Sequence, residues 1–136
     1  LPNPKTRMRD DLLSTACGPL ANLVLALISS ILFALGYFYK IDALKDIALL
    51  ALQVNCVLFV FNMLPVPPLD GSHFLRYALN VSNETYAKIE RNGFWILLLL
   101  IFLPQTSGIL NYLINIVIQG FAFISGLVVE LLAKIS

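Results

Sequence analysis

Three long runs without a charged residue dominate the chain. They cover Leu12–Tyr39, Ile47–Leu69 and Asn92–Val129, and are 28, 23 and 38 residues long. A helix needs about 20 mostly apolar residues to cross the hydrocarbon core of a bilayer, so the first two runs each predict one span. The sequence PQTSG divides the third run into a short and a long apolar piece, which predicts two more. The predicted fold class is an all-α polytopic membrane protein with about four transmembrane helices.

Polar segments between these runs predict the remaining elements. The first ten residues, LPNPKTRMRD, have the composition of a loop. Residues 71–80 predict a short helix. Ser82 or Asn83 is a suitable N-cap for a polar helix that leads into the third span. That span reaches full length only if its helix begins among residues 86–92.

Composition agrees with a membrane protein. Hydrophobic residues make up 59% of the 136 residues and charged residues 12%, whereas soluble domains usually contain about 25% charged residues. The net charge is +1, and the nine Lys and Arg residues are scattered, so no nucleic-acid partner is predicted. Residues 1–136 are expected to form one transmembrane domain.

Charges on the connecting segments predict an orientation. With four spans, the N-terminal segment, the loop after the second span and the C-terminus share one side. That side carries seven Lys and Arg residues, whereas the other carries only Lys40 and Lys45. The positive-inside rule places the more basic side in the cytosol. The sequence GPLAN at residues 18–22 and the segment after the second span then lie toward the same half of the membrane, where they can meet.

The second run ends in a proline-rich break with the sequence NMLPVPPLDG. Pro65, Pro67 and Pro68 lack N–H donors and force the chain out of helical conformation. Irregular backbone at membrane depth survives only where protein or a water-filled cavity surrounds it. Asp70 stands in this break, and Gly71 after it permits close approach of the backbone. An ionisable residue near a membrane is a candidate functional residue, and a bound cation would favour its charged form.

Simpler interpretations of these polar residues remain open. Asp70 would cap the helix that begins at Gly71, and Asn62 would form a hydrogen bond between helices. His73, three residues after Asp70, is either a surface residue or a second ligand. A polar stripe on the last span would join helices or line a substrate gate; it consists of Asn111, Asn115 and Gln119.

Two motifs carry a resemblance to a known family. NMLPVPPLDG resembles the N-x-x-P-x-P-x-x-D-G signature of site-2 proteases, the zinc metallopeptidases that cleave within membranes. GPLAN resembles the G-P-x-x-N motif that these proteins carry before it. The two motifs, their spacing and the two later spans are similar to compact members without a PDZ domain. The resemblance implies a zinc metalloprotease in the bacterial cell membrane, surrounded by lipid, that hydrolyses transmembrane segments of protein substrates on its cytosolic side.

The resemblance also implies roles for individual residues. Asp70 would be the carboxylate zinc ligand. Asn62 would orient the substrate or stabilise the oxyanion that forms when water attacks a peptide carbonyl. The remaining motif residues would shape the neighbouring helix or hold the ligand on rigid backbone; they are Gly18, Pro19, Asn22, Pro65, Pro67 and Gly71.

The sequence lacks one motif that the family requires. The other two zinc ligands and the general base come from an H-E-x-x-H helix, but the chain contains a single histidine, His73. We therefore expect the chain to be the C-terminal portion of the protease domain, with this motif on a preceding segment. The alternatives are a non-catalytic relative that binds transmembrane helices, and a small transporter or ion-conducting bundle whose broken helix binds a cation. A transporter would be expected to contain an inverted repeat.

Overall fold

Helices are the only regular secondary structure in the described part of the chain. The computed structural model describes residues 4–66 and 69–136, and within them it contains six helices and no strand. This confirms the predicted all-α fold class. The helices are α1 (Pro4–Phe38), α2 (Asp42–Asn62), α3 (Gly71–Ala78), α4 (Asn83–Arg91), α5 (Gly93–Phe102) and α6 (Pro104–Ile135).

Three of these helices are long and apolar enough to cross a membrane, namely α1, α2 and α6. Helix α5 occupies the position of the predicted third span, but it has only 10 residues. At 1.5 Å per residue it is about 15 Å long, which is half of a hydrocarbon core of about 30 Å. The polar helix α4 does not extend it, because the chain breaks at Asn92 (φ −99°, ψ 4°) before Gly93. The chain is a membrane protein, and residues 4–66 and 69–136 contain three long apolar helices and one short one.

Two helices begin earlier than the polar pattern suggests. Helix α1 starts at Pro4, so most of the predicted N-terminal loop is helical. Helix α6 starts at Pro104, so PQTSG forms its first turn instead of a connector. Proline suits the first turn of a helix, where its missing N–H has no partner in the helix anyway. The start of α4 agrees with the prediction, since Ser82 is its N-cap and accepts a hydrogen bond from the Thr85 amide at 3.2 Å.

The chain divides into two compact units. The first contains residues 1–20 and 60–111, and the second contains residues 21–59 and 112–136. In the second unit, Ser125 of α6 donates a hydrogen bond of 2.8 Å to the backbone carbonyl of Ser30 in α1. The apolar core of this unit consists of Ala26 of α1 and Leu52 and Cys56 of α2. Three side chains of α6 pack against it, namely Val117, Ile118 and Phe121.

Among the described residues, neither Asn55 nor the polar stripe on α6 forms a side-chain hydrogen bond between helices. Asn55 donates from its side-chain amide to the carbonyl of Ala51 at 2.8 Å, within α2 itself. The three residues of the polar stripe on α6, Asn111, Asn115 and Gln119, are all exposed.

Candidate metal centre at the proline-rich break

Helix α2 ends at Asn62, the residue with which the break begins. Two backbone hydrogen bonds of the i→i−3 type, both 3.2 Å long, tighten its last turn. Asn62 is half-buried there, Pro65 is exposed and Val66 is buried. Pro67 lies outside the described residues. The helix therefore stops where the prolines require it to stop.

Gly71 allows the chain to fold closely back at the start of α3. It is buried, and a Cβ atom at this position would overlap the carbonyl oxygen of Met63. Its φ is not positive, so glycine is needed for the close approach and not for a left-handed turn. This contact brings the first residue of α3 against the end of α2.

Asp70 precedes α3 but does not cap it through its side chain. Its backbone is already helical (φ −62°, ψ −33°), and its carboxylate makes no capping hydrogen bond. A side-chain N-cap normally has an extended backbone. The interpretation of Asp70 as a simple helix cap is therefore wrong, and its half-buried carboxylate is free of that role.

The Asp70 carboxylate lies against Gly18 of α1. A Cβ atom on Gly18 would stand 2.9 Å from Oδ2 of Asp70 and 3.9 Å from its Cγ. The two motifs thus meet at these two residues, as the sequence predicts from their placement toward the same half of the membrane. Pro19, the next residue, is buried in α1 and gives the carbonyl four residues earlier no N–H partner. Asn22 is half-buried and belongs to the second unit.

A second pair of residues joins the same two helices. The Tyr77 hydroxyl of α3 donates to Oδ2 of Asp11 in α1 at 2.6 Å. His73 Nδ1 lies 3.5 Å from the same oxygen without forming a hydrogen bond. The pKa of Tyr77 is raised, first by the hydrogen bond to Asp11 and then by burial and the charge of Asp11, while Arg76 and Arg7 oppose the shift. Neither Asp11 nor Tyr77 belongs to either sequence motif, so the sequence alone does not indicate them as site residues.

Helix α4 packs on α3 through the buried Tyr86. The Ser72 hydroxyl donates to the carbonyl of Leu69 at 2.7 Å, so the Tyr86 hydroxyl, 3.0 Å away, donates to Ser72. The guanidinium carbon of Arg76 lies 4.6 Å from the centre of the Tyr86 ring, a distance at which a cation is attracted to the ring face. Arg76 also forms a hydrogen bond with Asn83 at the start of α4. Helix α3 is therefore held on its α4 side independently of Asp11.

A polar cleft of about 750 Å³ opens between the start of α1, α3 and α4. A water-filled cavity around the break would admit water to Asp70, but this cleft lies elsewhere. Asp70 does not line this cleft, and His73, one turn further along α3, does. Its charged walls carry both signs and include Arg7, Asp10, Asp11, Arg76 and Glu90.

The described residues fit one part of a zinc site. Among them no group of three or more His, Cys, Asp and Glu residues could hold a metal ion. Asp70 nevertheless offers a carboxylate that is not engaged in capping, on backbone fixed by the break and by Gly71. Carboxylate oxygens are regular zinc ligands in catalytic sites with three protein ligands. Asp70 can thus provide one ligand, and His73, which faces Asp11, does not complete a set with it.

Two comparisons relate the chain to known proteins. The model of peptidase family M50 matches residues 39–104, which include Asn62, Asp70 and Gly71. A protein of Bacillus subtilis (strain 168), named "Putative zinc metalloprotease YwhC", is 33% identical over 119 residues, which are 82% of this chain and 54% of that protein. The chain therefore spans about half the length of this curated relative. No solved structure matches the chain significantly. The chain belongs to peptidase family M50, the site-2 protease family that its two motifs indicate.

Proposed function

We propose that the protein is an intramembrane zinc metalloprotease that hydrolyses peptide bonds within transmembrane segments of other proteins. Family membership and the name of the B. subtilis relative support a zinc metalloprotease. The observation that carries the proposal is the Asp70 carboxylate, which is held at the break against Gly18 without capping α3. An ionised carboxylate at the edge of a membrane is energetically costly and therefore indicates a functional role. Binding of a metal cation would offset this cost.

The residues of the break have distinct roles in this proposal. Asp70 would provide the carboxylate ligand, and Asn62, at the end of α2, would donate its side-chain amide to the oxygen of the scissile carbonyl. Zinc held there would provide Lewis-acid chemistry, namely activation of water and polarisation of that carbonyl. A donor aimed at a developing oxyanion contributes about 2.7–4 kcal/mol to catalysis. The other two ligands and the general base would come from an H-E-x-x-H helix outside this sequence.

The proposed substrate is a transmembrane segment that is locally unwound, because the hydrogen bonds of a helix shield its peptide bonds. The proposed location is a bacterial cell membrane, with the site on the cytosolic side. The orientation does not depend on whether α5 crosses the membrane. Six Lys and Arg residues precede α5 on the side of the break, against two on the opposite side.

The proposal is tested by measuring zinc content and cleavage of a reporter transmembrane substrate with the complete protein. Asp70→Asn should lose most of its zinc and its activity. Asp46→Asn, which makes the same chemical change at an exposed position of α2, should retain both. Asn62→Ala should keep its zinc and lose roughly 10²–10³-fold in kcat.

Two outcomes would overturn the proposal. If Asp70→Asn keeps its zinc and its cleavage rate, Asp70 is not a ligand. If the unaltered protein binds zinc but cleaves no transmembrane substrate, the chain belongs to a non-catalytic relative.

A further inference from the structure

Helices α1 and α3 touch at two points that are evenly spaced on both. Asp70 lies against Gly18, and Tyr77 binds Asp11. Asp11 and Gly18 of α1 are seven positions apart. Tyr77 of α3 and Asp70, whose helical backbone immediately precedes α3, are also seven positions apart. Seven positions are about two helical turns or 10.5 Å. Because the contacts occur in opposite order along the two helices, the helices are antiparallel here. Residues seven apart share one helical face, so one face of α3 carries both contacts.

We propose that Asp11 is a positioning residue that fixes α3 against α1 and thereby holds the Asp70 carboxylate in place against Gly18. This inference rests on the proposed function, in which Asp70 is a zinc ligand. Asp11 would act through Tyr77 and the backbone of α3, and it would touch neither zinc nor substrate.

Helix α3 needs such an anchor toward α1 because its other contacts tie it to α4 and to the end of α2. It contains eight residues, of which only Gly71 and Ser72 are buried. A helix this short is marginal on its own and depends on contacts with the rest of the protein. The proline-rich segment precedes it, and Asn80, with a φ of 53°, turns the chain away two residues after it. Neither end continues into another helix that would fix its rotation.

The hydrogen bond between Tyr77 and Asp11 is suited to this task. At 2.6 Å it has the short length that is typical of a hydroxyl donating to a carboxylate. Because the Tyr77 ring is rigid, the hydrogen bond fixes the backbone of α3 relative to Asp11 better than a long flexible side chain would. The Asp11 side chain is 33% exposed, and His73 lies against it, so water competes only partly for the carboxylate. On the opposite side of α3, Tyr86 of α4 forms a hydrogen bond with Ser72. Among the described residues, Tyr77 and Asp11 form the side-chain hydrogen bond that joins α3 to α1.

The test uses the complete, zinc-loaded protein and five variants. Asp11→Ala and Tyr77→Phe each remove the hydrogen bond, and a double variant combines them. Asp11→Asn keeps an oxygen that can accept from Tyr77. Asp10→Ala is the matched control, because it removes a neighbouring carboxylate whose side chain is 66% exposed. The zinc dissociation constant is measured by competition with a chelator, alongside kcat, KM and the melting temperature.

We expect Asp11→Ala and Tyr77→Phe to weaken zinc binding about 10–100-fold, as the loss of an outer partner of a metal ligand usually does. The double variant should be no worse than either single variant, because both remove the same bond. Asp11→Asn should recover most of the affinity. Since Asp11 does not touch substrate, kcat should fall while KM stays the same. Asp10→Ala should behave like the unaltered protein.

Full zinc affinity in Asp11→Ala, or an equal loss in Asp10→Ala, would overturn the inference. So would a lower melting temperature in Asp11→Ala with unchanged zinc affinity, since the bond would then serve stability alone. Asp70→Asn separates this failure from failure of the proposed function. If Asp70→Asn loses zinc but Asp11→Ala does not, only the positioning role is wrong; if Asp70→Asn retains zinc, the metal site itself is wrong.

Discussion

Replacing Gly18 with alanine should raise stability slightly while it damages the proposed metal site. The added Cβ atom would lie 2.9 Å from Oδ2 of Asp70, whereas carbon–oxygen contacts of this kind are usually about 3.3 Å or longer. The carboxylate must therefore move by about 0.4 Å. It can do so because it is the end of a side chain, and the backbone of α3 need not follow.

The size of this movement determines the expected effects. Zinc–ligand distances are held within about 0.2 Å, so a shift of about 0.4 Å takes the carboxylate out of range. We expect zinc binding about 10–100-fold weaker, which corresponds to about 1.4–2.8 kcal/mol. In the opposite direction, alanine in place of glycine inside a helix stabilises it by roughly 0.5–1 kcal/mol. Stability and zinc affinity should thus change with opposite sign.

The assay measures zinc affinity by chelator competition and stability by thermal melting, on the complete protein with Gly18→Ala. Gly120→Ala in α6 is the matched control, because a Cβ atom there meets nothing within 4 Å. It should leave zinc affinity unchanged. Unaltered zinc binding in Gly18→Ala would refute the reasoning, since the carboxylate would then not need its observed position. A loss of zinc in both variants would show that the effect is not local.

Two further predictions follow from contacts near the break. Gly71→Ala should be clearly destabilising, because its Cβ would overlap the backbone carbonyl of Met63, which cannot rotate away. Overpacking of this kind lowers the free energy of unfolding by about 1–3 kcal/mol or more. Thermal melting of Gly71→Ala and Gly18→Ala side by side measures the contrast. The raised pKa of Tyr77 means that the folded protein favours the protonated phenol. Its contribution to stability is therefore complete below the ordinary value near pH 10 and is lost as the pH rises through the folded-state pKa. Unfolding measured against pH should show this loss, and Tyr77→Phe should remove it; an identical pH profile in Tyr77→Phe would contradict the assignment.

The sequence predicted those features that depend on long stretches or on strong local rules. Apolar runs of 23 residues or more revealed the long helices, and proline chemistry located the end of α2 at Asn62. The prediction of an N-terminal loop was wrong because it relied on the two prolines at the start of the sequence. The charged residues that follow them are compatible with a helix, and α1 begins at Pro4. The third predicted span is not continuous because α4 ends at Arg91 with Asn92 as its C-cap, before the apolar residues of α5 begin.

The contact between Asp11 and Tyr77 was beyond the reach of these rules. The two residues are 66 positions apart, and neither has an unusual neighbourhood in the sequence. The sequence indicates this contact only once Gly18 and Asp70 are known to lie against each other. Moving seven residues back from the first and seven forward from the second reaches Asp11 and Tyr77. A known contact between two helices thus predicts where an antiparallel partner contact should occur, two turns away.

This spacing explains how a ligand can be held firmly at a break in the backbone. Because of the break, Asp70 lies outside α2, so the regular backbone of that helix does not fix its position. Gly71 restores one constraint by packing the start of α3 on the end of α2, and Tyr77 restores a second at the other end of α3. With both ends of a short helix fixed, the backbone that carries the Asp70 carboxylate is held in place against α1. In the proposed protease the carboxylate would therefore be in position before zinc binds.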